Sequence, residues 1–113
     1  MHTHTLSLTT TPFEAIADGK KTVESRLWDE KRQRIALGDT LIFTHRDIPE
    51  NTITARVIGL LRYSSFEELF THNDPAKFDG SSPQALLDQI HTFYTVDQEQ
   101  AHGVIGIEFQ VEL

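Results

Sequence analysis

A chain of 113 residues, 38% apolar and 24% charged, has the size and make-up of one globular domain, read here as residues 1–113, and excludes a disordered or fibrous chain. The absence of cysteine excludes a disulfide framework and thiolate metal sites. A net charge of -7 argues against a protein that holds nucleic acid chiefly by neutralising phosphates, so no DNA partner is expected.

Residues 3–9 alternate, with Leu6 and Leu8 on one face, and read as a strand. Neither here nor further on is there an apolar run of signal-peptide or membrane-spanning length, and the expectation is a cytoplasmic protein with no membrane partner. Thr11-Pro12-Phe13-Glu14 opens a short helix, with Thr11 as cap and Pro12 at the first helical position. Phe13, Ile16 and Ala17 share its face, and Gly19 ends it as a C-cap. Residues 21–27 read as a strand with Val23 and Leu27 toward the core. The charged stretch 28–36 reads as irregular or briefly helical, and Leu37-Gly38-Asp39 as a turn into a strand over 40–44. Asp47 to Asn51 has turn chemistry, and residues 52–63 form a long β-rich run in which Gly59 predicts a bulge.

Ser64-Ser65-Phe66-Glu67-Glu68 has the form of a capped helix start, with Phe66, Leu69 and Phe70 as its buried stripe. Residues 73–80 read as a loop, Ser82-Pro83 starts a second helix carrying Leu86, Leu87 and Ile90, and Thr95 caps a third that ends at Gly103. Residues 104–113 alternate as a last strand. Strands and helices do not alternate regularly, which argues against a parallel α/β sheet. The fold class expected is mainly β with helices (α+β), as a small, mostly antiparallel barrel with short helices packed on it.

Chemistry concentrates in one window. Between Lys20 and Arg34 stand six basic residues and three acidic ones, a basic island in an acidic chain. Such an island fits a focused site for a small anion or a short strand, or equally a solvated face whose charges pair with each other. In a strand, Glu24 and Arg26 share a face and can present a carboxylate and a planar guanidinium to one ligand. Lys21 has the opposite parity, but it follows Gly19, where the chain is still turning. His2 and His4 share a strand face with no third ligand nearby, and no metal spacing is found elsewhere. Neither a metal nor a cofactor is expected.

Gly19-Lys20-Lys21-Thr22-Val23-Glu24-Ser25-Arg26 resembles the G-x-K-x-x-E-x-R motif of ASCH domains, which are similar in fold to PUA domains. Ile35-Ala36-Leu37-Gly38-Asp39, Tyr63 to Leu69 and Tyr94 to Glu108 resemble further family blocks, in the family's order and over nearly the whole chain. The resemblance implies a PUA-like β-barrel with a cleft between barrel and helices, lined by Lys21, Glu24 and Arg26. It implies recognition of RNA or a small nucleoside-like ligand there. Trp28, Tyr63 and Tyr94 are then candidates for stacking, and Lys31, Arg32 and Arg34 for phosphate contact. The aromatic residues serve equally as core or rim packing.

One branch of small ASCH proteins removes acetyl from N4-acetylcytidine, with the motif lysine assisting a threonine nucleophile and a distant glutamate completing the set. Here Lys21 matches the lysine, and Glu24 stands where that branch has threonine. An amidohydrolase on this chain would use Lys21 and Glu24 as catalytic residues, with Glu24 activating water and Glu67 or Glu68 as the distant carboxylate. A binding module and an amidohydrolase therefore both remain open at this point.

Overall fold

The computed structural model describes residues 1–112; Leu113, expected at the end of the last strand, lies outside the described residues. Five strands, β1 (Thr3–Leu8), β2 (Val23–Leu27), β3 (Thr40–His45), β4 (Thr52–Tyr63) and β5 (Val104–Val111), form one sheet in the order β1-β3-β4-β5-β2. Four helices, α1 (Thr10–Ala17), α2 (Phe66–Thr71), α3 (Pro83–Ile90) and α4 (Val96–His102), pack on it. The fold is the α+β arrangement expected.

The sheet is mixed. β1 pairs with β3 in parallel, and the other neighbours run antiparallel. β1 and β2 are the two edges, and no ladder joins them among the described residues. They nevertheless approach each other, because Arg26 Nη2 donates to the Ser7 carbonyl at 3.1 Å and Lys31 Nζ to the Thr5 carbonyl at 3.3 Å. The sheet is thus curled into a half-barrel whose seam is bridged by side chains.

Two cores lie on the two faces of this sheet. Leu6, Leu8, Ile16, Leu41, Phe43, Val57, Ile105, Ile107 and Phe109 fill one. Val23, Leu27, Phe66, Leu69, Phe70, Phe78, Leu86 and Val104 fill the other, against α2 and α3. β5 is therefore buried on both faces at its start. Gly106 permits this, because a Cβ there would lie 3.0 Å from Leu69 Cδ1 and 3.1 Å from Val23 Cγ1.

Gly59 does what its place in β4 suggested. The register shifts between Val57 and Gly59, so the inward set passes from Ala55 and Val57 to Leu60. Leu61 and Tyr63 turn to the second core as a result. A Cβ on Gly59 would sit 2.5 Å from Glu108 Oε1 and 3.1 Å from Glu108 Cβ, so a side chain at this bulge would displace the Glu108 carboxylate.

The caps of α2, α3 and α4 are Ser65, Ser82 and Thr95, each accepting from the backbone N–H three residues on at 3.1–3.2 Å. α1 differs from expectation. It starts two residues earlier, with Thr9 as N-cap in place of Thr11 and without a side-chain cap bond. Pro12 is accepted there because the first turn needs no N–H from it. Asp18 is the C-cap, and Gly19 follows it at φ +79°, the left-handed position that suits glycine.

Asp39 fixes the start of β1. Its buried carboxylate accepts from His4 Nε2 at 2.8 Å, from the Ala36 N–H at 3.0 Å and from the His2 N–H at 3.2 Å. The His4 ring, and after it the Ala36 N–H, hold this carboxyl at about 2 against an ordinary 3.8. The His4 ring is committed to this turn.

Candidate functional site

The connection from α1 to β2 sets up the site. β2 begins at Val23, two residues later than the sequence pattern suggests, because Lys21 makes an isolated antiparallel bridge with Phe78 and the Thr22 N–H donates to the Lys77 carbonyl at 2.9 Å. The chain is thus still turning at Lys21, and strand parity does not hold its side chain away from Glu24. Lys21 Nζ reaches Glu24 Oε1 at 2.8 Å.

Glu24 is only 4% exposed. Its Oε1 also accepts from the Ser25 N–H at 3.1 Å, and its Oε2 accepts from Arg26 Nη2 at 3.0 Å and Nε at 3.2 Å. Both oxygens are fully engaged. Burial pushes the carboxyl upward, but Lys21 and Arg26 outweigh it and hold the group at about 2. For Arg26, burial pulls downward, while Glu24 and then the neighbouring Tyr94 hydroxyl hold the guanidinium above its ordinary value. The triad is a fully charged cation–anion–cation cluster.

This cluster forms the back of a cleft of about 420 Å³ at the β1–β2 seam. One wall comes from β1 and α1, through Ser7, Leu8, Thr11 and Pro12, with Arg46 beyond β3. The other comes from the helical side, through Phe78, Asp79, Ile90, Phe93 and Tyr94. Tyr94 is held by stacking on Phe66, with ring centroids 5.7 Å apart. The helical wall is itself anchored by Glu99, whose buried carboxylate accepts from the Phe66 N–H at 2.8 Å and pairs with His91 at 2.9 Å.

Of the residues singled out by sequence, Lys21, Glu24, Arg26 and Tyr94 come together in this cleft. The others lie elsewhere. Trp28 packs on the first core, with the Arg62 guanidinium 3.2 Å above its ring. Tyr63 packs on the second core, stacks on His72 and takes a 3.4 Å contact from Asn73. Arg32 pairs with Asp29 at 2.8 Å, and Arg34 with Glu30 at 3.2 Å. Lys31 and Arg34 border a shallow recess beside His102, away from the cleft. For Trp28, Lys31, Arg32 and Arg34 the cause is common. After Leu27 the chain leaves β2 into the short 3-10 helix Arg32–Arg34, which carries the rest of the basic island off.

Glu67 and Glu68 are exposed on α2 and do not line the cleft. Sequence reading missed Arg46, Asp79 and Phe93, which do. Asp79-Gly80 carries a turn signal, and Phe93-Tyr94 is an aromatic pair falling outside the helical period of α3. Arg46 had no local signal beyond its position after a strand.

A curled five-stranded sheet with helices packed on both faces and a charged cleft at its seam defines a small α+β half-barrel domain. The sequence model of the ASCH domain matches residues 6–112, and the chain belongs to the ASCH domain family. The crystal structure of the hypothetical protein PH0355 is similar over 99% of this chain and 100% of that one, with a TM-score of 0.85 at 30% identity. The solution structure of protein PF0455 from Pyrococcus furiosus is similar over 98% and 97%, with a TM-score of 0.71 at 27% identity. The ASCH protein from Zymomonas mobilis shares the fold at 18% identity and a TM-score of 0.56, over 94% of this chain and 65% of that one. No curated protein matches the chain. No helix among the described residues is long and apolar enough to cross a membrane.

Proposed function

We propose that this domain recognises one nucleoside-like unit, free or within RNA, and that its cleft is a binding site and not a hydrolytic one. The observation carrying this reading is the state of Glu24. A general base needs a free lone pair and a pKa near working pH. Glu24 has four donors on its two oxygens and a pKa of about 2. Its part is to fix the two cations, which keep other N–H groups for a ligand.

The volume supports the same reading. A cleft of about 420 Å³ has the capacity of a small-molecule site and is too small for a long strand. Aromatic rings on one side and fixed donors at the back suit a planar heterocycle bearing acceptor atoms. The acidic remainder of the chain leaves little to hold an extended phosphate backbone.

The test is calorimetric titration with cytidine and N4-acetylcytidine, with cytidine release from the acetylated compound followed in parallel. Saturable binding without release, weakened in Arg26→Ala, is the expected result. Failure of both nucleosides to bind would sink the proposal. Cytidine release by the wild type that Lys21→Ala abolishes would replace it with the amidohydrolase reading.

A further inference from the structure

The cleft holds more unengaged donors than acceptors, and they are unevenly placed. The ammonium of Lys21 has three N–H groups, and Glu24 engages one. In Arg26, Nε and Nη2 are engaged by Glu24 and Ser7, and the Tyr94 hydroxyl also lies beside the guanidinium. Arg46 lines the same cleft and takes part in none of the six ion pairs of the described residues. It does not pair even with Asp47 or Glu50 of its own loop.

That loop is fixed even though the guanidinium is not. The Arg46 N–H donates to the Leu8 carbonyl at 2.8 Å. The adjacent His45 ring is buried, and its Nδ1 accepts from the Asp47 and Ile48 N–H groups at 3.1 Å each. This places the ring proton on Nε2, which donates to Thr10 Oγ1 at 3.0 Å. The base of the Arg46 side chain is therefore anchored to β1 and α1 at the cleft rim.

The free carboxylate of the cleft, Asp79, belongs to the opposite, helical wall, as does Phe93, a residue 61% exposed. Asp79 is held in the left-handed region at φ +58°. The site thus sets two cations at its back and Arg46 on the β1 wall against one acceptor and an exposed aromatic residue on the helical wall. A nucleoside alone offers few acceptors to three cations. A phosphate offers several and carries close to two negative charges.

We infer that the ligand is a nucleotide with a terminal phosphate, and that Arg46 binds this phosphate while the base lies toward Phe93 and Asp79. This rests on the nucleoside reading above. The phosphate stays away from Asp79, which would repel it, and Asp79 accepts from an exocyclic amine or a ribose hydroxyl. Free nucleotides and 5′-phosphorylated RNA ends share this chemistry.

The test compares cytidine with cytidine 5′-monophosphate by calorimetry on the full chain, in wild type, Arg46→Gln and Arg46→Lys. The wild type should bind the monophosphate at least about tenfold more tightly than cytidine, as a charge-assisted contact requires. In Arg46→Gln this ratio should fall toward one, and Arg46→Lys should keep part of it. A 5′-phosphorylated tetranucleotide beside its 5′-hydroxyl form then separates a strand end from a free nucleotide. Cytidine binding with no advantage for the monophosphate would overturn this inference and leave the nucleoside reading standing. An advantage that survives intact in Arg46→Gln would remove Arg46 from it. Binding of neither compound would overturn both.

Discussion

Glu24→Gln is the substitution whose consequence the geometry fixes most tightly. The variant keeps the side chain's shape and removes the charge that separates Lys21 from Arg26. The fall of the Glu24 pKa from 4.5 to about 2 corresponds to roughly 3 kcal/mol, at about 1.4 kcal/mol for each tenfold change in proton affinity. Loss of one partner from a buried charge cluster generally costs about 3–5 kcal/mol, so the two routes agree. The folded pKa is depressed, and the sign follows from that. The contribution is complete above the unfolded value of 4.5 and is lost as pH falls through about 2. Urea unfolding of wild type and variant across this range is the assay, with the denaturant slope checked for constancy. The expected result is a wide gap at neutral pH that closes progressively in acid. A neutral-pH gap below about 1 kcal/mol, the range of exposed ion pairs, would refute the reasoning, as would a gap that ignores pH.

Two further substitutions probe the frame around the site. Asp39→Asn should cost about 1–3 kcal/mol by weakening the anchor of β1, read as a lowered thermal midpoint. The Asp39 contribution is complete above its ordinary 3.8 and lost as pH falls through about 2, so this deficit too should shrink in acid. Gly106→Ala should cost about 1–3 kcal/mol by overpacking against Leu69 and Val23, measured by urea unfolding. An unchanged midpoint would mean that Leu69 rotates aside at no cost.

Local chemistry was the legible part of the fold. Ser65, Ser82 and Thr95 cap where a hydroxyl precedes an apolar stripe, and Gly59 bulges where glycine interrupts a strand. The cap of α1 was misplaced because Thr9, Thr10 and Thr11 are equivalent by sequence, and only the packing of Phe13 and Ile16 selects among them. The parallel pairing of β1 with β3 was not legible, since it depends on where the chain returns after α1 and β2. Within the site, the motif residues were visible as a compact octapeptide. The rims were not, because Arg46, Asp79 and Phe93 arrive from three separate turns. Trp28, Lys31 and Arg32 were grouped with the motif by sequence proximity, which stops being spatial proximity once β2 ends at Leu27.

The side-chain seam between β1 and β2 also bears on how this molecule behaves toward copies of itself. An unpaired strand edge is a template on which another chain can add a strand. The carbonyls of Thr5 and Ser7, two residues apart on the open edge of β1, are occupied by the Lys31 ammonium and the Arg26 guanidinium. Two long cations thus stand where an incoming strand would have to donate its N–H groups. The guanidinium that faces the cleft is also a guard against edge-to-edge aggregation.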